Sequence, residues 1–224
     1  MLNPIPDTRH PSSWGLYVIT DRSRTKGRPL EVVVDAALAG GAKAIQLREK
    51  DLSTRDLYKL IERLLPLVRG RGAHLLINDR VDLTLALPID GVHLARTSLP
   101  PAETRALLGP TRLIGVSCHS LEEAIEAERG GADFIVFGPL FPTPSKAAYG
   151  SPVGLTQIKE MRRQIRLPIL GIGGVTTPNA ASVMASGTDG VAVISAVMMA
   201  DDPADAVSAL LRVIRSTPRG IAGH

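Results

Sequence analysis

Eight short aliphatic runs, the amphipathic helical stretches between them, and a recurring junction in which helix passes through glycine into the next run predict an α/β chain, folded as a single-domain (β/α)8 TIM barrel. The runs are LYVIT (16–20), AIQLRE (44–49), HLLIND (74–79), GVHLA (91–95), LIGVSC (113–118), FIVFGP (134–139), PILGIGG (168–174) and GVAVISA (190–196). Their β-branched and aliphatic content suits strands. Stretches 53–69, 120–129, 155–165 and 177–186 instead carry apolar residues at three- and four-residue steps, the period of a helix packed on one side. The junctions ALAGGAKAIQL, AERGGADFIVF and MASGTDGVAVI are repeats of one βα unit, because glycine past a helix end accepts the left-handed conformation that turns the chain back. Eight such units within about 200 residues match a closed barrel. An open doubly wound sheet is disfavoured, since no GxGxxG follows the first strand.

In such a barrel the helices cover the outside and the site lies at the C-terminal ends of the strands. Taken in order, the first strand runs into Asp21. In the second, AIQLREKD, period two puts Gln46, Arg48 and Lys50 on one face and Ile45, Leu47 and Glu49 on the other. Ile45 and Leu47 suit the face under the helices, so an amide and two cations turn toward the barrel mouth, where they need an anion or water. The third strand delivers Asn78 and Asp79. An aspartate there suits either of two tasks, a ligand to Mg²⁺ or the N-cap of a helix beginning near Arg80. His93 on the fourth alternates inward and fits a packed, hydrogen-bonded barrel residue better than a catalyst, whereas Ser117 and His119 stand nearer the end of the fifth.

After the sixth strand, FPTPSKAAYGSPVG (141–154) exceeds the roughly two to six residues of an ordinary βα connection. Its Thr143, Ser145 and Lys146 supply two hydroxyls and a cation for phosphate oxygens, on a segment long enough to act as a lid. GIGG (171–174) and ISA (194–196) place Gly173, Gly174 and Ser195 in the seventh and eighth turns, where backbone N–H groups hold phosphate in many barrels. Cations, hydroxyls and glycines at the strand ends suit a phosphorylated substrate.

Composition narrows the setting. With 224 residues, 44% hydrophobic and 21% charged, the chain can bury one large core. The single cysteine, Cys118, cannot form an internal disulfide, and neither a signal peptide nor an apolar run of about 18 residues is visible, so a soluble cytoplasmic setting is expected. The net charge of +4 comes from arginines scattered over helical faces, and 3% aromatic content supplies few base-stacking platforms, which argues against nucleic acid.

The motifs QLREK, LLINDRVDLTLALPIDGVHL, IGVSCHSLEEAIEAERGGADFIVFGPLFPTPSK, GIGG and GVAVISA together resemble the thiamine phosphate synthase family, in order and spacing, from residue 15 to about 212. The resemblance implies a (β/α)8 enzyme in which (4-amino-2-methylpyrimidin-5-yl)methyl diphosphate loses pyrophosphate and the pyrimidine cation is captured by the nitrogen of a thiazole phosphate, with Mg²⁺ as cofactor. Carried over by position, it places Gln46 beside the pyrimidine, Arg48 and Lys50 on the diphosphate, and Leu47 and Glu49 in the same substrate-binding run. Asn78 contacts the same substrate, Asp79 ligates Mg²⁺, and Ser117 and Lys146 bind the departing pyrophosphate. Thr143, Pro144, Ser145, Gly174, Ile194 and Ser195 hold the thiazole phosphate. Arg48, Lys50, Ser117 and Lys146 are then the expected catalytic set, neutralising charge that builds on the leaving group.

One departure stands out. Where the family writes GVHLGQEDLP this chain has GVHLARTSLP, so Ser98 replaces the carboxylate of a second Mg²⁺ ligand, and Arg96 nearby offers another way to neutralise charge. The alternative within the superfamily is a thiazole tautomerase, which SCHSLEEA resembles, with His119 shuttling a proton on a thiazole carboxylate phosphate. The intact IND and QLREK motifs favour the synthase. They also count, with Lys146, against a non-catalytic barrel that binds thiamine precursors. The expected layout is a loose arm (1–14), the barrel (15–216) and a tail (217–224), with small phosphorylated molecules as partners, no nucleic acid or membrane, and homo-oligomerisation left open.

Overall fold

The computed structural model describes residues 10–143, 152–218 and 220. Strands β1 (Leu16–Ile19), β2 (Ala44–Leu47), β3 (His74–Asn78), β4 (Gly91–Leu94), β5 (Leu113–Cys118), β6 (Phe134–Phe137), β7 (Ile169–Ile172) and β8 (Gly190–Val193) pair in parallel in chain order. β8 returns to β1, with Tyr17 opposite Ala192, and closes the barrel. Around it run α1 (Leu30–Ala39), α2 (Thr54–Gly70), α3 (Val81–Ala86), α4 (Pro101–Leu108) and α5 (Leu121–Arg129). They are followed by α6 (Thr156–Met161), α7 (Thr177–Ala185), α8 (Ser195–Met198) and α9 (Pro203–Ser216). The expected (β/α)8 barrel is the fold. Among the described residues no helix is long and apolar enough to cross a membrane.

Alternation along each strand separates two cores. Ile45, Leu47, Leu75 and Ile77 face outward and pack with Leu57, Leu60, Ile61, Leu64 and Val68, the apolar stripe of α2. Tyr17, Ala44, Leu76, Phe134, Val136, Leu170 and Ala192 face inward and fill the barrel. The interior needs a small residue wherever a large one faces it: a Cβ at Gly115 would lie 2.3 Å from Phe134 Cζ.

A second regularity lies at the N-terminal end of the barrel. Asp90, Asp133 and Asp189 each precede an even-numbered strand, and their carboxylates accept the N–H of Leu75, Ile114 and Ile169 at 2.9, 2.7 and 2.8 Å. The N–H of each aspartate donates back to the carbonyl of that same residue, at 2.9, 2.8 and 2.8 Å. Each clasp is completed by a side chain with the same polarity: His74 for Asp90, Arg105 for Asp133, Arg162 for Asp189. The aspartate thus sets register between consecutive strands while Arg105 and Arg162 tie it to the outer helices.

The boundary expected at residue 14 moves outward. Pro11–Ser13 form a 3-10 turn, and Trp14 is 1% exposed, packed against Tyr17, His74 and Phe134 at centroid distances of 5.7, 5.8 and 5.3 Å, edge-on to the last. A large apolar ring at the open bottom of a barrel gains more from burial than a loose arm could. The segment 10–14 therefore belongs to the domain; residues 1–9 lie outside the described residues.

Replacing Asp133 by Ala leaves the Ile114 N–H without its acceptor and Arg105 without its carboxylate. The expected loss is about 1–3 kcal/mol of stability in urea denaturation, with Asp133→Asn losing less.

Candidate active site

The strand that opens the site is shorter than the alternation implies: β2 ends at Leu47, and Arg48 and Lys50 follow in the loop. The reason lies in Thr20, at the end of β1. Its hydroxyl accepts the Arg48 N–H at 3.0 Å and donates to Glu49 Oε1 at 2.5 Å. Glu49 Oε2 accepts the Arg22 N–H at 3.0 Å and the Arg22 guanidinium at 3.4 Å, and that guanidinium also grips Asp51. Glu49 is thereby buried, with both oxygens used inside the protein, and Leu47 belongs to the outer core. The side chains of these two, expected in the substrate-binding run, serve to hold the loop, because alternation and the Thr20 clasp point them away from the mouth. Arg48 is half-buried with no carboxylate partner among the described residues. Gln46 lies deeper, 1% exposed, and donates to the Tyr17 hydroxyl at 3.2 Å. Burial holds the Tyr17 phenol well above its ordinary range, with the Gln46 bond opposing it, so Tyr17 stays protonated.

Arg48 and Lys50 border a cleft of about 950 Å³ that opens beside the mouth toward α1 and α2, with Arg28, Lys59 and Asp56 on its walls. Its lining carries both signs, with Asp21, Glu31 and Asp51 beside these cations.

At the end of β3, Asn78 is half-buried and Asp79 is exposed with φ at +66°, the left-handed region that costs a non-glycine residue energy. Its N–H donates to the His93 carbonyl at 2.9 Å, which ties the strained residue to β4. Asp79 does not cap α3: the N-cap is Arg80 and no side chain caps it. Of the two tasks open in the sequence, capping is excluded. Asp21, the other strand-end carboxylate, is occupied by the Ser23 N–H and hydroxyl and by Arg24 Nε at 3.0 Å.

Ser98 sits in a tight turn, its hydroxyl accepting the Ala95 N–H at 2.8 Å and its own N–H donating to the Ala95 carbonyl. Arg96 is exposed on the same turn. Among the described residues no three His, Cys, Asp or Glu side chains converge on a metal position. Asp79 alone is a poor cage, yet one carboxylate completed by substrate phosphates and waters is an ordinary Mg²⁺ arrangement. The donor set fits an ion that arrives with an anionic substrate.

Ser117 is half-buried on β5, its Oγ 2.9 Å from Nε2 of His93. His93 is indeed packed and hydrogen-bonded, as its alternation implies. His119 leans on Glu123, which accepts its backbone N–H at 2.6 Å and lies 3.2 Å from its Nδ1.

The seventh turn demands glycine. Gly173 and Gly174 have φ of +96° and +67°, and a Cβ on them would come within 2.6 Å of Pro139 and 2.8 Å of Phe141 Cβ. Asn179 in the first turn of α7 accepts the Thr176 N–H at 2.8 Å and donates to the Gly174 carbonyl at 2.9 Å, fixing the turn from behind. At the eighth turn Ile194 is half-buried and Ser195 exposed, with Arg24 Nη1 3.3 Å from Ser195 Oγ. Thr143 is half-buried after β6; Pro144, Ser145 and Lys146 lie outside the described residues. Thr20, Arg22, Arg24 and Asn179 escaped the sequence reading. Only Asn179 left a signal, the Thr-x-x-Asn spacing of a capping box.

A model of the family described as thiamine monophosphate synthase matches residues 16–197. The chain is 50% identical over 214 residues to the thiamine-phosphate synthase of Roseiflexus castenholzii, covering 95% of this chain and 92% of that protein. It is 44% identical to the thiamine-phosphate synthase of Chloroflexus aurantiacus, covering 92% and 94%. The thiamine phosphate pyrophosphorylase structure from Pyrococcus furiosus superposes with a TM-score of 0.84 at 38% identity, covering 93% of this chain and 98% of that one.

Two outcomes follow from the geometry. Thr20→Val removes the bridge between β1 and the Arg48 loop and should lower stability by about 1–3 kcal/mol in chemical denaturation, because Glu49 stays buried without its donor. Cys118 is 1% exposed, and burial, with Glu123 and Glu126 nearby, pushes its thiol up to about 12. It should resist iodoacetamide at pH 8 in the native protein and react fully in urea.

Proposed function

Because the chain belongs to the thiamine monophosphate synthase family, we propose that its rim joins a pyrimidine methyl diphosphate to a thiazole phosphate and releases pyrophosphate. The observation that carries this is Arg48: a cation with no carboxylate partner among the described residues, held at the mouth by Thr20, with Ser117 and Lys50 on the same rim. A site that must bind an anion gains from a guanidinium not already neutralised.

The chemistry asked of the protein is leaving-group stabilisation. As the C–O bond to the diphosphate breaks, negative charge grows on the departing oxygens, and fixed cations and hydroxyl donors lower the barrier by meeting it there. Arg48 and Lys50 supply the charge, Ser117 a hydroxyl, and Asn78 an amide at the neighbouring strand end. Lys146 is assigned the same duty from sequence. Gln46, in the layer below, offers its amide to the pyrimidine edge. Gly174, Ile194 and Ser195, with Thr143, Pro144 and Ser145, take the thiazole phosphate, where glycine lets backbone N–H groups approach its oxygens.

Asp79 would hold Mg²⁺ together with the diphosphate. The ion would neutralise part of the charge on the leaving group. Asp79 keeps its carboxylate exposed for this because its strained backbone diverts it from capping α3. We place the reaction in the cytoplasm, in keeping with one unpaired, buried thiol.

Purified protein given both substrates and Mg²⁺ should release pyrophosphate and form thiamine phosphate, with EDTA abolishing turnover. Arg48→Ala should reduce kcat/KM by about 10²–10³ with the fold intact by circular dichroism. Turnover unchanged by EDTA would remove Asp79 from the metal role. Turnover at the parent rate in Arg48→Ala would overturn the assignment.

A further inference from the structure

The barrel interior holds one imidazole that the chemistry above leaves without a task. His93 points inward from β4, 2% exposed, with the rings of Tyr17 and Phe134 at centroid distances of 5.9 and 5.8 Å. Nε2 lies 2.9 Å from Ser117 Oγ. Nδ1 is buried and has no hydrogen-bond partner among the described residues. It abuts Gly115, where a Cβ would come within 2.6 Å of it. The ring therefore has one polar neighbour and one apolar side.

We propose that His93 is fixed as the Nε2–H tautomer, donates to Ser117 Oγ, and so commits the Ser117 hydroxyl proton to an anion at the barrel mouth. A neutral imidazole carries its proton on one nitrogen, and a hydroxyl can both donate and accept. If Nδ1 carried the proton, a buried N–H would face apolar surroundings with no acceptor, a defect folded proteins seldom carry. Ser117 would then donate inward to Nε2 and turn only lone pairs toward the mouth, where an anion finds no attraction. With the proton on Nε2, Nδ1 turns only a lone pair to the apolar side, a smaller cost than an orphaned N–H, and Ser117 accepts from below and donates above. An imidazolium would put a second donor on that apolar side, where nothing accepts it. His93 is in this sense a positioning residue. It acts on the ligand only through Ser117 and selects which end of a symmetric donor–acceptor faces outward. Only the identity of the anion, the diphosphate end of the substrate, rests on the synthase assignment.

Nitrogen-15 NMR of the ring, read by two-bond proton–nitrogen correlation on the uniformly labelled protein without substrate, tests the tautomer directly. The His93 signals are assigned by their loss in His93→Gln. The expected pattern is a protonated Nε2 and a bare Nδ1; a protonated Nδ1 overturns the proposal. Inorganic pyrophosphate with Mg²⁺, titrated by calorimetry, then reads the consequence. His93→Leu should weaken its binding about tenfold, and His93→Gln, whose amide N–H reaches toward Ser117, should restore most of the loss. Ser117→Ala should add no further loss in the His93→Leu background; additive losses would show that the two residues act separately and overturn the coupling. Since the tautomer is measured on the parent protein without substrate, a failure of the synthase assay leaves that result standing, and a protonated Nδ1 in an active enzyme sinks the tautomer alone.

Discussion

Closing eight parallel strands on themselves leaves an interior that cannot hold a large side chain from every strand, and the rest of this molecule follows from that limit. Tyr17, Phe134, His93 and Trp14 occupy the barrel because Gly115, Ala44 and Ala192 leave them room. The rings meet edge to face and close the bottom, and Gln46, His93 and Ser117 stand in the upper part of the barrel. A filled lower half and a polar upper half is the condition for a site at the C-terminal ends of the strands.

The same closure explains the division of labour among the charged residues. At the bottom, Asp90, Asp133 and Asp189 are each consumed by a neighbouring strand and a cationic or imidazole partner, and these contacts serve register. At the top, the acidic groups Glu49, Asp51 and Asp21 are drawn into contacts with Thr20, Arg22 and Arg24. Those three carboxylates are thus paired off by the loops around β1, while Asp79 stays exposed and Arg48 has no carboxylate partner among the described residues. Which charges at the rim are already spent is thus decided locally, whatever the chain's overall charge of +4.

Where the rim residues would stand was largely legible in the chain. Period-two alternation placed Gln46 inward and Ile45 outward, and the glycines of GIGG announced a turn that no side chain could fit. The resemblance to the family implied roles that residue chemistry alone left open. Illegible were the contacts made between distant segments. Thr20 is 28 residues from Arg48 and 29 from Glu49. Nothing in LYVIT distinguishes its threonine from any other residue that favours strands. Asp79 could be read as a cap or a ligand until its left-handed backbone and the Arg80 N-cap separated the two. Trp14 looked like part of an arm because its partners, Phe134 and His74, lie far along the chain.

The sequence by itself determined the barrel, its strand order and the residue types at its rim, because those depend on hydrophobic period and turn chemistry, which are local. Tertiary structure alone decided which of those rim residues are spent and which are available. Glu49 is absorbed by Thr20 and Arg22, Ser98 by Ala95 and Asp21 by Arg24, whereas Arg48 finds no carboxylate among the described residues. Alternation says only to which side a group points. Whether its charge is already met depends on atoms that closure of the barrel brings within about 3 Å of it.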